Sequence, residues 1–172
     1  DHGAKQGDGG CLAIHINLAG FRPNPAVPVT DDERAWLARS NAAMQMEGAY
    51  FMQQATKPQT LAIALMDSPV GTAAWILEKF HGWSDLSAGD LFSVYSRDQM
   101  LTNIMIYLVN DAIATSIWYY AGFMMEGGAN LEPGQKCETP TGIVTYPGET
   151  LYPVPPRSWC ERAYNIDYWS IA

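Results

Sequence analysis

Prolines at positions 23, 25 and 28 divide the chain into two stretches that no single regular element can bridge. Each fixes its own backbone angle and removes a donor, and each biases the preceding residue toward extended geometry. Upstream, Leu12, Ile14, Ile16 and Leu18 alternate with a period of two and stop at Gly20, which predicts a strand. Downstream the period changes to that of helices for about a hundred residues. A boundary therefore belongs at the proline stretch.

The helical signals have definite starts. Thr30-Asp31-Asp32-Glu33 reads as a capping box, opening a helix expected to run through Trp36, Leu37 and Met44 to about Glu47. Pro69 in a first turn, with a stripe at Val70, Ala73, Ala74, Leu77 and Phe80, predicts a second helix, with Asp67 expected as its cap. Ser96-Arg97-Asp98-Gln99 is another capping box, from which one long helix is expected to reach Gly122. Near Thr141 the period falls back to two. Gly142 to Tyr146 then predicts a buried strand, Arg157 to Tyr164 a helix and Asp167 to Ala172 a last strand. The expected fold class is α/β, divided into a residual core strand and linker (1–28), an all-helical block (29–136) and a late strand-helix-strand (137–172).

Charge narrows the function classes. Eighteen acidic residues against ten basic ones give a net charge of −8, and no basic run suited to phosphates is present, so nucleic acid is not an expected partner. Three widely separated cysteines, Cys11, Cys137 and Cys160, form no metal knuckle or redox pair; they read as reduced thiols, and no cofactor is expected. Leu101 to Met125 is apolar and long enough to span a bilayer, but Asn103, Asn110 and Asp111 lie within it. A central Asp costs about 2.5–3.5 kcal/mol on insertion, so a buried helix is the better reading. No leader pattern is visible at Asp1 to Lys5, and a cytoplasmic location is expected.

Several stretches resemble the epoxide hydrolases of the microsomal and juvenile-hormone type, members of the α/β-hydrolase superfamily. They are Gln54-Ala55-Thr56-Lys57-Pro58-Gln59-Thr60, Asp67-Ser68-Pro69-Val70-Gly71 and Ala73-Ala74-Trp75-Ile76-Leu77-Glu78-Lys79-Phe80, extended by Leu101-Thr102-Asn103-Ile104, Pro140-Thr141-Gly142 and Tyr146-Pro147-Gly148-Glu149. The resemblance runs from about Cys11 to the end. It implies a partial α/β-hydrolase fold, about three late strands bearing a large helical lid. The implied reaction is hydrolysis of an epoxide to a vicinal diol: an Asp attacks an epoxide carbon to form an alkyl-enzyme ester, which a His-activated water cleaves. By resemblance the lid tyrosines that hydrogen-bond the epoxide oxygen fall on Tyr50 and Tyr120, and the acidic residue that orients the His falls on Glu149. The choice of Tyr120 over its neighbour Tyr119 rests on the resemblance alone.

These residue types suit that chemistry. A phenol stays protonated at neutral pH and can donate to a developing alkoxide. Two such donors on one lid stabilise charge that appears only in the transition state, and a carboxylate beyond a strand end can fix an imidazole tautomer. Outside that context a tyrosine is more often a half-buried packing residue, and a Glu after a strand a solvated turn residue. His15 and His81 do not match the family's catalytic histidine, and Lys57 alone is a weak anion site. That histidine belongs to a Gly-Gly-His-Phe context expected beyond Ala172. Asp1-His2-Gly3 is similar to the start of the nucleophile turn but lacks the strand before it, and Asp8 has less support. The chain by itself is therefore expected to be inactive. The partner expected is a small apolar epoxide, with no membrane span in this chain and an oligomer left open. Two alternatives stand beside this: a non-catalytic binding or interaction fragment, with a pocket lined by Tyr50, Trp75, Phe80 and Tyr120, and a haloalkane dehalogenase, against which the paired tyrosines argue.

Overall fold

The computed structural model describes residues 11–172. The strand expected from Cys11 to Leu18 forms only over Ile14–Ile16 (β1). Helices follow at Asp31–Glu47 (α1), Ala49–Thr56 (α2), Pro58–Met66 (α3), Pro69–Trp83 (α4), Leu91–Val94 (α5), Arg97–Val109 (α6) and Ile113–Met125 (α7). The chain then returns through Cys137–Thr145 (β2), Arg157–Glu161 (α8) and Tyr164–Ile171 (β3). The three strands are parallel, with β2 between β1 and β3. The described residues divide into two compact units, 11–43 with 129–172, and Met44–Gly128.

The first unit holds the sheet. Residues alternate along β2, with Cys137, Thr139, Thr141, Ile143 and Thr145 buried. Pro140 stands in this central strand, where it cannot donate to the ladder; the register with β3 shifts beside it, as a proline in a paired strand requires. Trp159, Cys160, Ala163 and Tyr164 close over the strand together with Leu131. The proline linker is tied down at its start. Phe21 N–H donates to the Tyr164 hydroxyl at 2.7 Å, and their rings stack. Arg22 pairs with Asn130 in an isolated parallel bridge, which holds together the points where the chain leaves and regains this unit. Tyr168 and Ile171 of β3 are more than half exposed, an uncovered apolar surface of the kind three strands alone must leave.

Glu33 departs from the expected capping box. Its N–H does take the Thr30 hydroxyl, but its carboxylate reaches past Thr30 to the Val29 N–H at 2.7 Å. There it is fully buried, accepting also from the Ser158 hydroxyl at 2.8 Å and the Arg162 guanidinium at 3.1 Å. Burial works against the charge, but the Val29 N–H, Ser158 and Arg162 outweigh it and hold the carboxyl below its ordinary value. Arg162 also donates to the Val27 carbonyl and lies over the Trp159 ring, so one cluster joins the linker, α1 and α8.

The second unit is a set of short helices joined at sharp breaks. Ser68, not Asp67, caps α4: its hydroxyl accepts from Gly71 N–H at 3.0 Å, while Asp67 ends α3. Thr72, fully buried, donates to the Leu65 carbonyl across this turn. The long helix expected from Ser96 to Gly122 is two helices, α6 and α7, bent by 83°. The break is chemical: the Asn110 amide turns back to the Ile106 carbonyl, and Asp111 takes a left-handed backbone with φ 49°. The Ser96 capping box forms as expected. Among the described residues no single helix is long and apolar enough to cross a membrane, although two bent helix pairs are.

Two outcomes test this arrangement. Glu33→Gln should destabilise the chain by roughly 2–3 kcal/mol, less than a fully buried pair because Arg162 keeps part of its surface in water. Because the folded carboxyl sits below 4.5, its contribution is complete above that pH and is lost as pH falls through the lowered folded value. Thermal melts from pH 7 to 3 should show that acid-sensitive component in the unaltered chain and not in the variant. Cys11, Cys137 and Cys160 form no disulfide; Cys137 and Cys160 are buried, and burial followed by the neighbouring Glu161 charge pushes the Cys160 thiol up to about 12. A thiol reagent should therefore modify Cys11 quickly and the other two only after denaturation.

Candidate active site

Tyr50 is carried on α2, whose start is set by Gly48. A Cβ at Gly48 would lie 2.3 Å from the Met44 carbonyl oxygen, so only glycine allows α2 to leave α1 at this angle. Lys57 and Pro58 end α2 and start α3, Pro58 occupying the first turn where its missing N–H matters least. Both α2 and α3 pack on α7. Two of the motif stretches quoted above, Gln54 to Thr60 and Asp67 to Gly71, thus form junctions of the helical unit.

That packing brings Tyr50 and Tyr120 together. Their ring centroids are 5.9 Å apart and nearly perpendicular, an edge-to-face contact. Tyr50 is buried and Tyr120 half-buried. Phe51 lies edge-on to both, at 6.4 Å from Tyr50 and 5.4 Å from Tyr120. Trp83, at the end of α4, packs against Tyr50 at 4.9 Å. Tyr119 is 65% exposed; its ring meets Tyr120 edge-on at 5.9 Å and stacks on Phe123. Of the adjacent tyrosines, then, Tyr120 is the one in contact with Tyr50.

Beside them, Tyr107, Ala112, Thr115, Ser116, Tyr119 and Tyr120 line an open depression of about 450 Å³. This is not the pocket expected from the sequence, of whose residues only Tyr120 takes part. Trp75 packs on the small core of Ala62, Leu65, Ile113 and Ile117, and Phe80 lies edge-on to Tyr95. Thr115 and Ser116 donate to carbonyls one turn back, so their oxygens keep acceptor capacity. Among the described residues no three His, Cys, Asp or Glu side chains converge on a point a metal ion could occupy.

Glu149 lies in the first unit, four residues beyond the end of β2. Its backbone N–H closes a turn on the Tyr146 carbonyl, and its carboxylate accepts from the N–H groups of Leu151 at 2.7 Å and Tyr152 at 3.4 Å. It is therefore an ordered carboxylate at a strand's C-terminal end. His15 is on β1, with its imidazole carbon near Gly142, and His81 is in the last turn of α4. Asp1 and Asp8 lie outside the described residues.

Sequence reasoning missed Lys79. Its ammonium lies over three aromatic rings, at 5.2 Å from Tyr50, 5.1 Å from Trp75 and 5.4 Å from Trp83. The signal was present, since positions 75, 79 and 83 recur every fourth residue on one face of α4.

Gly48→Ala should move α2 away from α1 and with it the Tyr50 ring. A lowered melting temperature with altered Trp83 fluorescence is the expected result, whereas Tyr50→Phe, which keeps the ring contacts, should cost less than about 1.5 kcal/mol.

No protein-family profile matches the chain. It is 38% identical over 167 residues to a Stigmatella aurantiaca protein whose name assigns it provisionally to the epoxide hydrolases, covering 94% of this chain and 36% of that one. Epoxide hydrolase 1 of Sus scrofa is 39% identical over 127 residues, covering 70% of this chain and 28% of its own. Among solved structures, the juvenile hormone epoxide hydrolase of the silkworm Bombyx mori superposes with a TM-score of 0.76 and 25% identity, covering 98% of this chain and 45% of that one. The Aspergillus niger epoxide hydrolase superposes with a TM-score of 0.74 over 99% of this chain and 42% of that one; at 24% identity it speaks for the fold alone. The chain thus spans about a third of the length of the curated relatives it matches.

Proposed function

We propose that this chain, which belongs with the epoxide hydrolases as their helical cap and late α/β-hydrolase strands, supplies the oxygen-binding and histidine-orienting groups of epoxide hydrolysis. Tyr50 and Tyr120 donate hydrogen bonds to the epoxide oxygen. As a carboxylate attacks an epoxide carbon, the C–O bond breaks and negative charge gathers on that oxygen, where two fixed phenols stabilise it. Glu149 holds the histidine that activates water against the resulting ester. The nucleophile and the base are none of these three residues. The observation that carries this reading is the direct contact of Tyr50 with Tyr120 inside one compact unit.

A second reading has its own observation, the open depression beside Tyr120. Its size suits a small ligand, and binding without turnover would make the segment a recognition module.

Hydrolysis of styrene oxide, followed as diol formation, separates the two. The 172-residue polypeptide alone is expected to bind but not to turn over. Turnover lost on Asp1→Ala would instead make Asp1 the nucleophile. Grafted in place of the matching segment of the silkworm enzyme, this chain should support hydrolysis, and Tyr50→Phe should slow epoxide opening by up to about 10²–10³-fold, less where Tyr120 compensates. A rate unchanged by Tyr50→Phe would remove Tyr50 from the mechanism and leave the recognition module.

A further inference from the structure

We propose that Lys79 is a positioning residue for Tyr50, its ammonium fixing the ring and making the hydroxyl a stronger hydrogen-bond donor. This deepens the reading of Tyr50 as a donor and rests on it. Lys79 is a residue whose ordinary place on a helix is in water, yet its side chain is only 18% exposed. The ammonium sits among three aromatic rings, Tyr50 from α2 and Trp75 and Trp83 from α4, each between 5.1 and 5.4 Å away. A cation at that distance from a ring face is held by the ring's quadrupole. On a phenol the same attraction draws electron density from the ring and favours negative charge on its oxygen. That is the charge a tyrosine gains as it shares its proton with an alkoxide.

Among the described residues, Lys79 places its cation directly over the Tyr50 ring. Phe51, Trp83 and Tyr120 contribute rings. Glu78 pairs with Lys79 but is itself 57% exposed, so water screens much of its opposing effect. Glu47 accepts from Trp83 Nε1–H at 3.4 Å and steadies the far wall of the cage. The helix spacing accounts for the arrangement: Trp75, Lys79 and Trp83 share one face of α4, and both indole rings lie beside the ammonium.

The test reads Tyr50 directly in this chain and needs no epoxide chemistry, so its outcome is separate from that of the hydrolysis experiment. With tyrosines carbon-13 labelled at Cζ, the Tyr50 resonance is assigned by its loss in Tyr50→Phe and followed through alkaline titration, with circular dichroism reporting the fold. Lys79→Met should move the Tyr50 midpoint to higher pH, Lys79→Arg should restore it, and Glu78→Gln, at an exposed site, should move it lower. A packing role alone would leave the midpoint where it is. An unmoved midpoint in folded Lys79→Met, or a failure of Lys79→Arg to restore it, overturns the proposal. Should Lys79→Met not fold, Lys79→Gln takes its place, and an unmoved midpoint in that folded variant is the overturning result.

Discussion

The packing of Tyr50 against Trp83 and Tyr120 is the contact on which the helical unit is organised. It joins three helices that are far apart in the chain, and it can form only because the chain turns sharply between them. Gly48 lets α2 leave α1 closely, Pro58 restarts the chain as α3, and Ser68 with Pro69 starts α4 at 118° to α3. Asn110 and Asp111 break what would otherwise be one helix, so that α7 can lie against α2 and α3. Short helices lose little by being interrupted when the packing gained is aromatic, because such rings bury large areas and hold definite mutual angles.

The sheet unit depends on a different device. A buried carboxylate, Glu33, is tolerable because three donors face it, and those donors come from the linker and from α8. The Phe21–Tyr164 stack and the Arg22–Asn130 bridge then fix the ends of the long excursion through the helices. Such a unit can carry a helical insertion without its strands needing to know what the insertion does. It leaves Glu149 at the C-terminal end of β2, where α/β folds collect functional side chains.

Much of this was legible in the residues. The order of strand, helices, strand, helix and strand followed from the change of period at the prolines and again near Thr141. The Ser96 capping box was explicit, and the motif resemblance pointed to Tyr50 and Tyr120, which the fold brings into contact. What was not legible lay in tertiary choice. The apolar period ran unbroken through Asn110 and Asp111, and nothing local says that Asp111 will adopt a left-handed backbone. Glu33 looked like an ordinary capping residue because its partners, Ser158 and Arg162, are more than a hundred positions away. Lys79 looked like a solvated helix residue because the ring that completes its cage, Tyr50, belongs to another helix. The depression beside Tyr120 is lined by residues other than those expected, while Trp75 and Phe80 pack helices together.

In the proposed reaction two phenols act on one oxygen. A double-mutant cycle of Tyr50→Phe and Tyr120→Phe, measured on the ester-forming step in the grafted enzyme, tests that most directly. Donors sharing one developing charge should be coupled, so that the double variant loses a different amount from the product of the two single losses. Independent effects, or a single variant that leaves the step unchanged, would contradict it.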